Sequence, residues 1–399
     1  MTDRTGHCLA PHDGLIGAID AYLRDGMLPL WASRGWDDVR GGWHERLRAD
    51  HTPVGLDYRR LTVCARQLFV YGKAAQLDLM AAARPIADRT FRYLVDHFYD
   101  RDFGGWFCKV DTAGEPLDRA KDLYGHAFVL LGLAQYCSIA PESEALDLVR
   151  HTDGVIAEKF LLAEGWYAAT AAADWGAPDK ALLQNPHMHL LEAYLAAFAM
   201  IGDEAYRKRA ERLIALFRTR LLDPATRTIR EFRDEQGRPD ALRGHIVEPG
   251  HHFEWSWLLQ QAADVLGSAE YRSHAVPVFA WAATHGIDFG FGGVFDQVGT
   301  NGAVIADTKR LWPLTEYIKT RAIRFRQRGE ESERAEVIPA LDLLFSAYLL
   351  PDGGWRERLR QDLTCYDDEL PATTCYHILV ALLEARAALG LQVSAAPKS

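Results

Sequence analysis

The chain has 399 residues, 48% of them hydrophobic, and a formal charge of -10 at pH 7. That length and apolar content suffice for a sizeable core, while the acidic balance disfavours nucleic acid and anionic membranes as partners. No apolar run approaches the roughly 20 residues that a membrane-spanning helix needs, and the opening Met1–Cys8 segment lacks the apolar stretch of a secretory signal.

The six cysteines (Cys8, Cys64, Cys108, Cys137, Cys365, Cys375) show no CxxC spacing. Reduced thiols in a cytoplasmic protein fit this better than a disulfide framework. Helical periodicity marks twelve segments in chain order: 13–32, 57–79, 82–99, 119–139, 142–159, 181–201, 203–221, 250–266, 269–285, 310–328, 331–349 and 371–389. Two clear stripes are Ile86, Phe91, Leu94, Val95 and Phe98, and Tyr206, Ala210, Leu213, Phe217 and Leu221.

Short Gly-Trp elements punctuate the helices. Gly41-Gly42-Trp43-His44-Glu45-Arg46-Leu47 is nearly repeated by Gly353-Gly354-Trp355-Arg356-Glu357-Arg358-Leu359, and related elements begin at Gly104, Gly165 and Gly292. Their spacing is about 62 residues except between Gly165 and Gly292, which is double, so a unit without glycines is expected near Ile229. Six units of two helices predict an all-α fold, an (α/α)6 barrel with six helix hairpins in two concentric rings and short β-hairpins at one end. An open solenoid also stacks helix pairs, but the likeness of the first and last elements favours closure. Residues 1–399 are then one domain, with a frayed tail at 395–399.

The chemistry-bearing residues fall on alternate helices, one per unit. Arg66 is a charge inside the apolar run Val63–Phe69, suited either to an oxyanion or to a buried ion pair. Tyr124 can donate to a hydroxyl. His187 and His189 are two apart, so on a helix they diverge and do not chelate one metal. His189 serves alone, as a functional imidazole or as a polar helix-start residue. Pro249-Gly250 starts a helix that carries His251 and Glu254 on one face, an orientation suited to acid/base work; the bland alternative is a self-satisfied polar helix start. Glu254 is the one convincing carboxylate, too few for a glycoside hydrolase. In Lys309–Glu316, Trp312 offers an aromatic wall, and Glu316 is equally readable as half of a solvated charge pair. His377 lies among Tyr376, Ile378 and Leu379, where desolvation keeps an imidazole neutral.

No GxSxG, P-loop, GxGxxG or HExxH motif is present. The ordered set Ala65-Arg66-Gln67, Asn185–His189, Gly250-His251 with Glu254-Trp255, Lys309–Glu316 and Tyr376-His377 resembles the N-acylglucosamine 2-epimerase superfamily across essentially the whole chain. The resemblance implies the (α/α)6 barrel. It implies His251 and His377 as catalytic histidines, with His189, Glu254 and Arg66 as pocket partners, and Tyr124, Asn185 and Trp312 as sugar contacts. It implies proton transfer through a cis-enediolate, without metal or cofactor, on a small monosaccharide, in a monomer or homodimer. Among its members the chain is most similar to the mannose isomerases. Cellobiose epimerases carry additional tryptophan near the last histidine, where this chain has Thr373-Thr374-Cys375. Mannose–fructose isomerisation is the favoured expectation, with 2-epimerisation of mannose, an N-acylhexosamine or a disaccharide as the alternative.

Overall fold

A computed structural model describes residues 11–390 apart from Glu142; Cys8 and the tail at 395–399 lie outside the described residues. Each expected helical segment contains a helix. The first, α1, runs through 11–34 with one π-helical stretch at Tyr22–Met27. Then follow α2 (Leu61–Gln76), α3 (Ala83–Phe98), α4 (Leu123–Cys137), α5 (145–160), α6 (Gln184–Ile201) and α7 (204–221). The last five are α8 (Pro249–Val265), α9 (Glu270–His285), α10 (Leu311–Arg328), α11 (331–348) and α12 (Thr374–Leu389). Several expected starts are early by about one turn. Tyr58–Arg60, Lys121–Asp122 and Leu370–Pro371 are extended and pair with hairpin strands before α2, α4 and α12 begin.

Burial separates two rings. In α4, every residue from Leu123 to Tyr136 except Tyr124 is buried, as a helix walled on all sides must be. In α3 only a stripe is buried: Ile86, Phe91, Leu94 and Phe98 face inward, and the polar side faces water. The stripe of α7 is buried throughout, from Tyr206 to Leu221. The even-numbered helices touch in the order α2, α4, α6, α8, α10, α12, and α12 returns to α2. The odd-numbered helices pack outside them, and α1 closes over α12. The rings are therefore closed, and the open solenoid is excluded.

Each outer helix ends in a tight turn that starts back toward the next inner helix. The turns are pinned by the antiparallel bridges Trp36–Trp43, Tyr99–Trp106, Leu161–Tyr167, Ile287–Val294 and Leu349–Trp355. The unit without glycines has its hairpin too, with Leu222 opposite Ile229 and Asp223 opposite Thr228. Its left-handed position is taken by Arg227 at φ 59°, which is why no glycine marked it. Buried histidines tie hairpins to inner helices. His126, His187 and His252 accept from the backbone N–H of Trp106, Tyr167 and Ile229 at 3.1, 3.0 and 3.0 Å. His187 thus has a structural task, facing away from His189.

The seam between chain ends is tight. Tyr22 donates to the carbonyls of Gly353 and Gly354 at 3.2 and 3.0 Å, and Trp31 stacks on Trp355. Gly353 has φ +87°, and a Cβ there would stand 2.3 Å from the Gly26 carbonyl carbon. Gly353→Ala should therefore cost about 2–4 kcal/mol, from overpacking added to an unfavourable φ. Thermal and urea unfolding of the variant would measure this. A change below about 0.5 kcal/mol, the range of neutral surface substitutions, would mean that the seam yields.

Candidate functional site

All eight residues singled out by sequence line one cavity of about 550 Å³: Arg66, Tyr124, Asn185, His189, His251, Glu254, Trp312 and His377. Arg66, Tyr124, His189, His251, Trp312 and His377 come from α2, α4, α6, α8, α10 and α12 respectively. Tyr124, His251, Trp312 and His377 lie in the first turn of their helices and Arg66 and His189 in the second, so the cavity sits at the end of the inner ring where the hairpins gather. Trp312 stands between the two central imidazoles, with ring centroids 4.8 Å from His251 and 5.8 Å from His377.

The expected partner of His251 is wrong. Its Nδ1 meets Glu231 Oε2 at 2.9 Å, with Glu248 Oε2 at 3.8 Å, and not Glu254. Glu231 belongs to the hairpin segment before α8, so tertiary structure and not helical spacing brings it in. Glu254 instead points at His189, whose Nδ1 is 3.9 Å from its Oε1. Both oxygens of Glu254 are buried without a hydrogen-bond partner. Burial, then Glu316 and Glu192, push this carboxyl well above its usual range and toward the neutral form.

His377 has a carboxylate that local reading did not give it. Its Nδ1 is 2.8 Å from Oε1 of Glu316. Glu316 is not half of a solvated pair. It is fully buried, and its Oε2 meets the equally buried Lys319 ammonium at 2.6 Å. His189 donates to or accepts from Glu192 Oε2 at 3.1 Å, and Tyr376 donates its hydroxyl to the other Glu192 oxygen. Arg66 donates to the Tyr124 hydroxyl at 2.6 Å and to the Thr373 carbonyl at 3.4 Å, with the Phe128 ring 4.1 Å from its guanidinium carbon. Its cage is aromatic, in place of the buried ion pair that the sequence also allowed.

Protonation differs sharply between the two central histidines. For His251, burial pulls the pKa down, but Glu231, Glu248 and Glu254 outweigh it and raise the value to about 9. For His377, burial, Arg66 and Lys319 hold it well below 6.5. His189 is lowered to about 4, chiefly by burial against the pull of Glu192. The cavity therefore presents a charged, donating imidazole and a neutral, accepting one, an acid/base pair by environment. Each has its Nδ1 engaged by a carboxylate, and neither Nε2 has a protein partner among the described residues.

Further wall groups escaped sequence reading because they lie in hairpins. Asp122, Glu231, Glu248 and Glu357 line the cavity with Glu254, which makes five carboxyl groups where one was expected. Burial pushes Glu357 up to about 7 despite hydrogen bonds from Thr374 and Trp355, and pushes Asp122 up to about 6. Carboxylates and imidazoles also converge beneath the cavity: His189, Glu192 and Glu254 form one cluster, and Glu254, Glu316 and His377 another, with atoms within 4.8 Å. A cation would suit that convergence, and Lys319 supplies one, raised in pKa against burial by Glu316, Glu254 and Glu192.

Glu231→Gln removes the nearest negative charge from His251, so its pKa should fall from about 9 by a unit or more and its proton be lost at lower pH. Histidine ¹⁵N NMR titration of the two proteins reads this directly. An unchanged titration would mean that Glu231 does not control the charge on His251.

The N-acylglucosamine 2-epimerase (GlcNAc 2-epimerase) family model matches residues 41–381. A mannose-6-phosphate isomerase of Rhizobium meliloti is 31% identical, over 92% of this chain and 96% of its own. A cellobiose 2-epimerase of Bacteroides fragilis is 28% identical, over 88% and 93%. A crystal structure of a D-mannose isomerase superposes with a TM-score of 0.86, at 21% identity, covering 95% of this chain and 99% of that one. The closed double ring has the architecture of that fold, and the chain belongs to the N-acylglucosamine 2-epimerase family of sugar isomerases and 2-epimerases and is an isomerase.

Proposed function

We propose that the protein interconverts D-mannose and D-fructose through a cis-enediolate, with His377 as the base and His251 as the acid. The observation that carries this reading is the opposed protonation of two imidazoles on either side of Trp312. Neutral His377, with Nδ1–H donated to Glu316, offers Nε2 to the proton on C2 of the open-chain sugar. As that C–H bond breaks, its electron pair forms the C1–C2 double bond, and the C1 carbonyl oxygen becomes an oxyanion. Arg66 and the protonated His251 stabilise that oxygen in a site screened from bulk water. His251 gives its proton to O1 and takes the proton of the C2 hydroxyl; return of the proton from His377 to C1, as the C2–O bond becomes the carbonyl, then yields the ketose. Transfer of the His251 proton to C2 on the opposite face yields the epimer, the alternative product that the same pair supports.

The charge of the cavity supports a neutral sugar. Five carboxyl groups line it against two guanidiniums, and one of these, Arg310, is bonded to Glu248 and Asp296 at 2.9 and 2.8 Å. With Arg310 paired in this way, Arg66 is the one guanidinium of the wall without a carboxylate partner among the described residues, too little to hold a phosphate dianion. Thr373 and Thr374, small hydroxylic side chains beside His377, support a single sugar ring over a stacked second one.

Incubation with D-mannose in deuterated water, followed by NMR, should give fructose. Glucose deuterated at C2 would make the protein an epimerase, and no exchange with any hexose would remove the reading. Alanine at His251 or His377 should lower kcat by at least roughly a hundredfold with a much smaller change in KM. If His377→Ala still exchanges the C2 hydrogen at near wild-type rate while His251→Ala does not, the roles are reversed. For the choice of substrate, kcat/KM for mannose should exceed that for mannose 6-phosphate by at least about tenfold, some 1.4 kcal/mol in the transition state. The opposite order would show that a phosphate is accommodated.

A further inference from the structure

Beneath the cavity lies a buried ammonium that the proposed reaction steps leave unused. Lys319 is wholly buried, one turn along α10 from Glu316, with its ammonium 2.6 Å from Glu316 Oε2. The Trp257 ring covers that ammonium at 3.8 Å from its centroid. Trp257 and Glu192 also line a second cavity, formed with Leu77, Met200 and Val265 near the far ends of the inner helices, so the indole shields the ammonium from that side. Glu316 spends its other oxygen on His377 Nδ1, at 2.8 Å. Lys319, Glu316 and His377 thus form a chain that ends at the cavity.

We propose that Lys319 is a positioning residue for His377: its ammonium keeps Glu316 anionic, which holds the imidazole proton on Nδ1 and leaves Nε2 free to accept the substrate's proton. The inference rests on the reading of His377 as the base. Its physical ground is the cost of the alternative. A neutral Glu316 can donate its own proton to Nδ1, and the imidazole then carries its hydrogen on Nε2, where it cannot accept. Burial favours that neutral form, and Lys319 is the main group opposing it. Other titratable groups face the same point from α2, α6, α8 and α12. Glu254 comes from α8 and Glu192 and His189 from α6, while Tyr376 flanks His377 on α12; Arg66 of α2 and His251 of α8 act at longer range. Without the ammonium, Glu316 loses the main charge that opposes its burial.

Lys319→Met tests this, with Lys319→Arg as the charge-keeping control. The expected result for methionine is a kcat at pH 7 lower by at least roughly tenfold, KM for mannose changed much less, and an acid limb of kcat displaced upward by a unit or more. Activity should recover as pH rises and Glu316 ionises, and arginine should restore the wild-type limb. Histidine ¹⁵N NMR of the substrate-free protein should show His377 protonated on Nδ1 in the wild type and on Nε2 in Lys319→Met. That measurement needs no turnover, so it stands even if mannose proves not to be the substrate. An unchanged tautomer with an unmoved acid limb overturns the proposal. If Lys319→Met does not fold, Lys319→Met/Glu254→Gln, which removes one buried carboxylate, takes its place in the NMR experiment. Loss of fold in both assigns Lys319 to core charge balance alone and also overturns it.

Discussion

Six side chains from six helices can face one cavity only if the last inner helix touches the first. The contact of α12 with α2 is therefore the constraint on which the site depends. It brings His377 to the same wall as Arg66, which donates to the carbonyl of Thr373 across that join. Gln67 crosses it as well, donating to the carbonyl of Ala372 at 2.9 Å. Outside the join, α1 covers α12, and the strand pair Arg46–Leu47 with Leu370–Pro371 zips the first hairpin to the last. A solenoid of the same units would carry the same residues and have no cavity.

Much of this was legible in the sequence because the repeat is a local property. Outer helices such as α3 and α7 have a stripe, an inner helix such as α4 is apolar all round, and most turns need residues tolerant of positive φ. Where a turn used Arg227 for that conformation, the glycine signal vanished and only the period remained. The eight cavity residues were legible for a related reason. A polar group at the start of an apolar helix, once per unit, has one place to point. Helix starts were less legible. The strand before five of the six inner helices is two or three residues long, too short for a period of two to declare itself.

The partners of those residues were not legible, and the reason is physical. Local spacing offered His251 a carboxylate three residues on, and Glu254 was the evident choice. On the barrel wall, however, the helix start turns His251 toward the preceding hairpin, while Glu254, one turn deeper, turns toward α6 and α10. His251 takes its charge from Glu231, twenty residues back, and His377 meets Glu316 across sixty-one. Contacts at such separations are set by ring closure, and no one-dimensional pattern records them.

This division of labour also explains how two histidines in one cavity keep opposite charge states. Both are buried, so desolvation alone would make both neutral. His251 escapes because Glu231 and Glu248 face it with only Arg310 nearby to share, and Arg310 is bonded to Glu248 and not to Glu231. His377 does not escape, because the negative charge of its own carboxylate is answered by Lys319 one turn away, and Arg66 across the cavity opposes a charge on the imidazole itself. The decisive difference is thus not the presence of a carboxylate, which both imidazoles have, but whether a cation already neutralises it. An imidazole facing an unanswered carboxylate holds its proton, and one facing an ion pair is left with a lone pair for substrate.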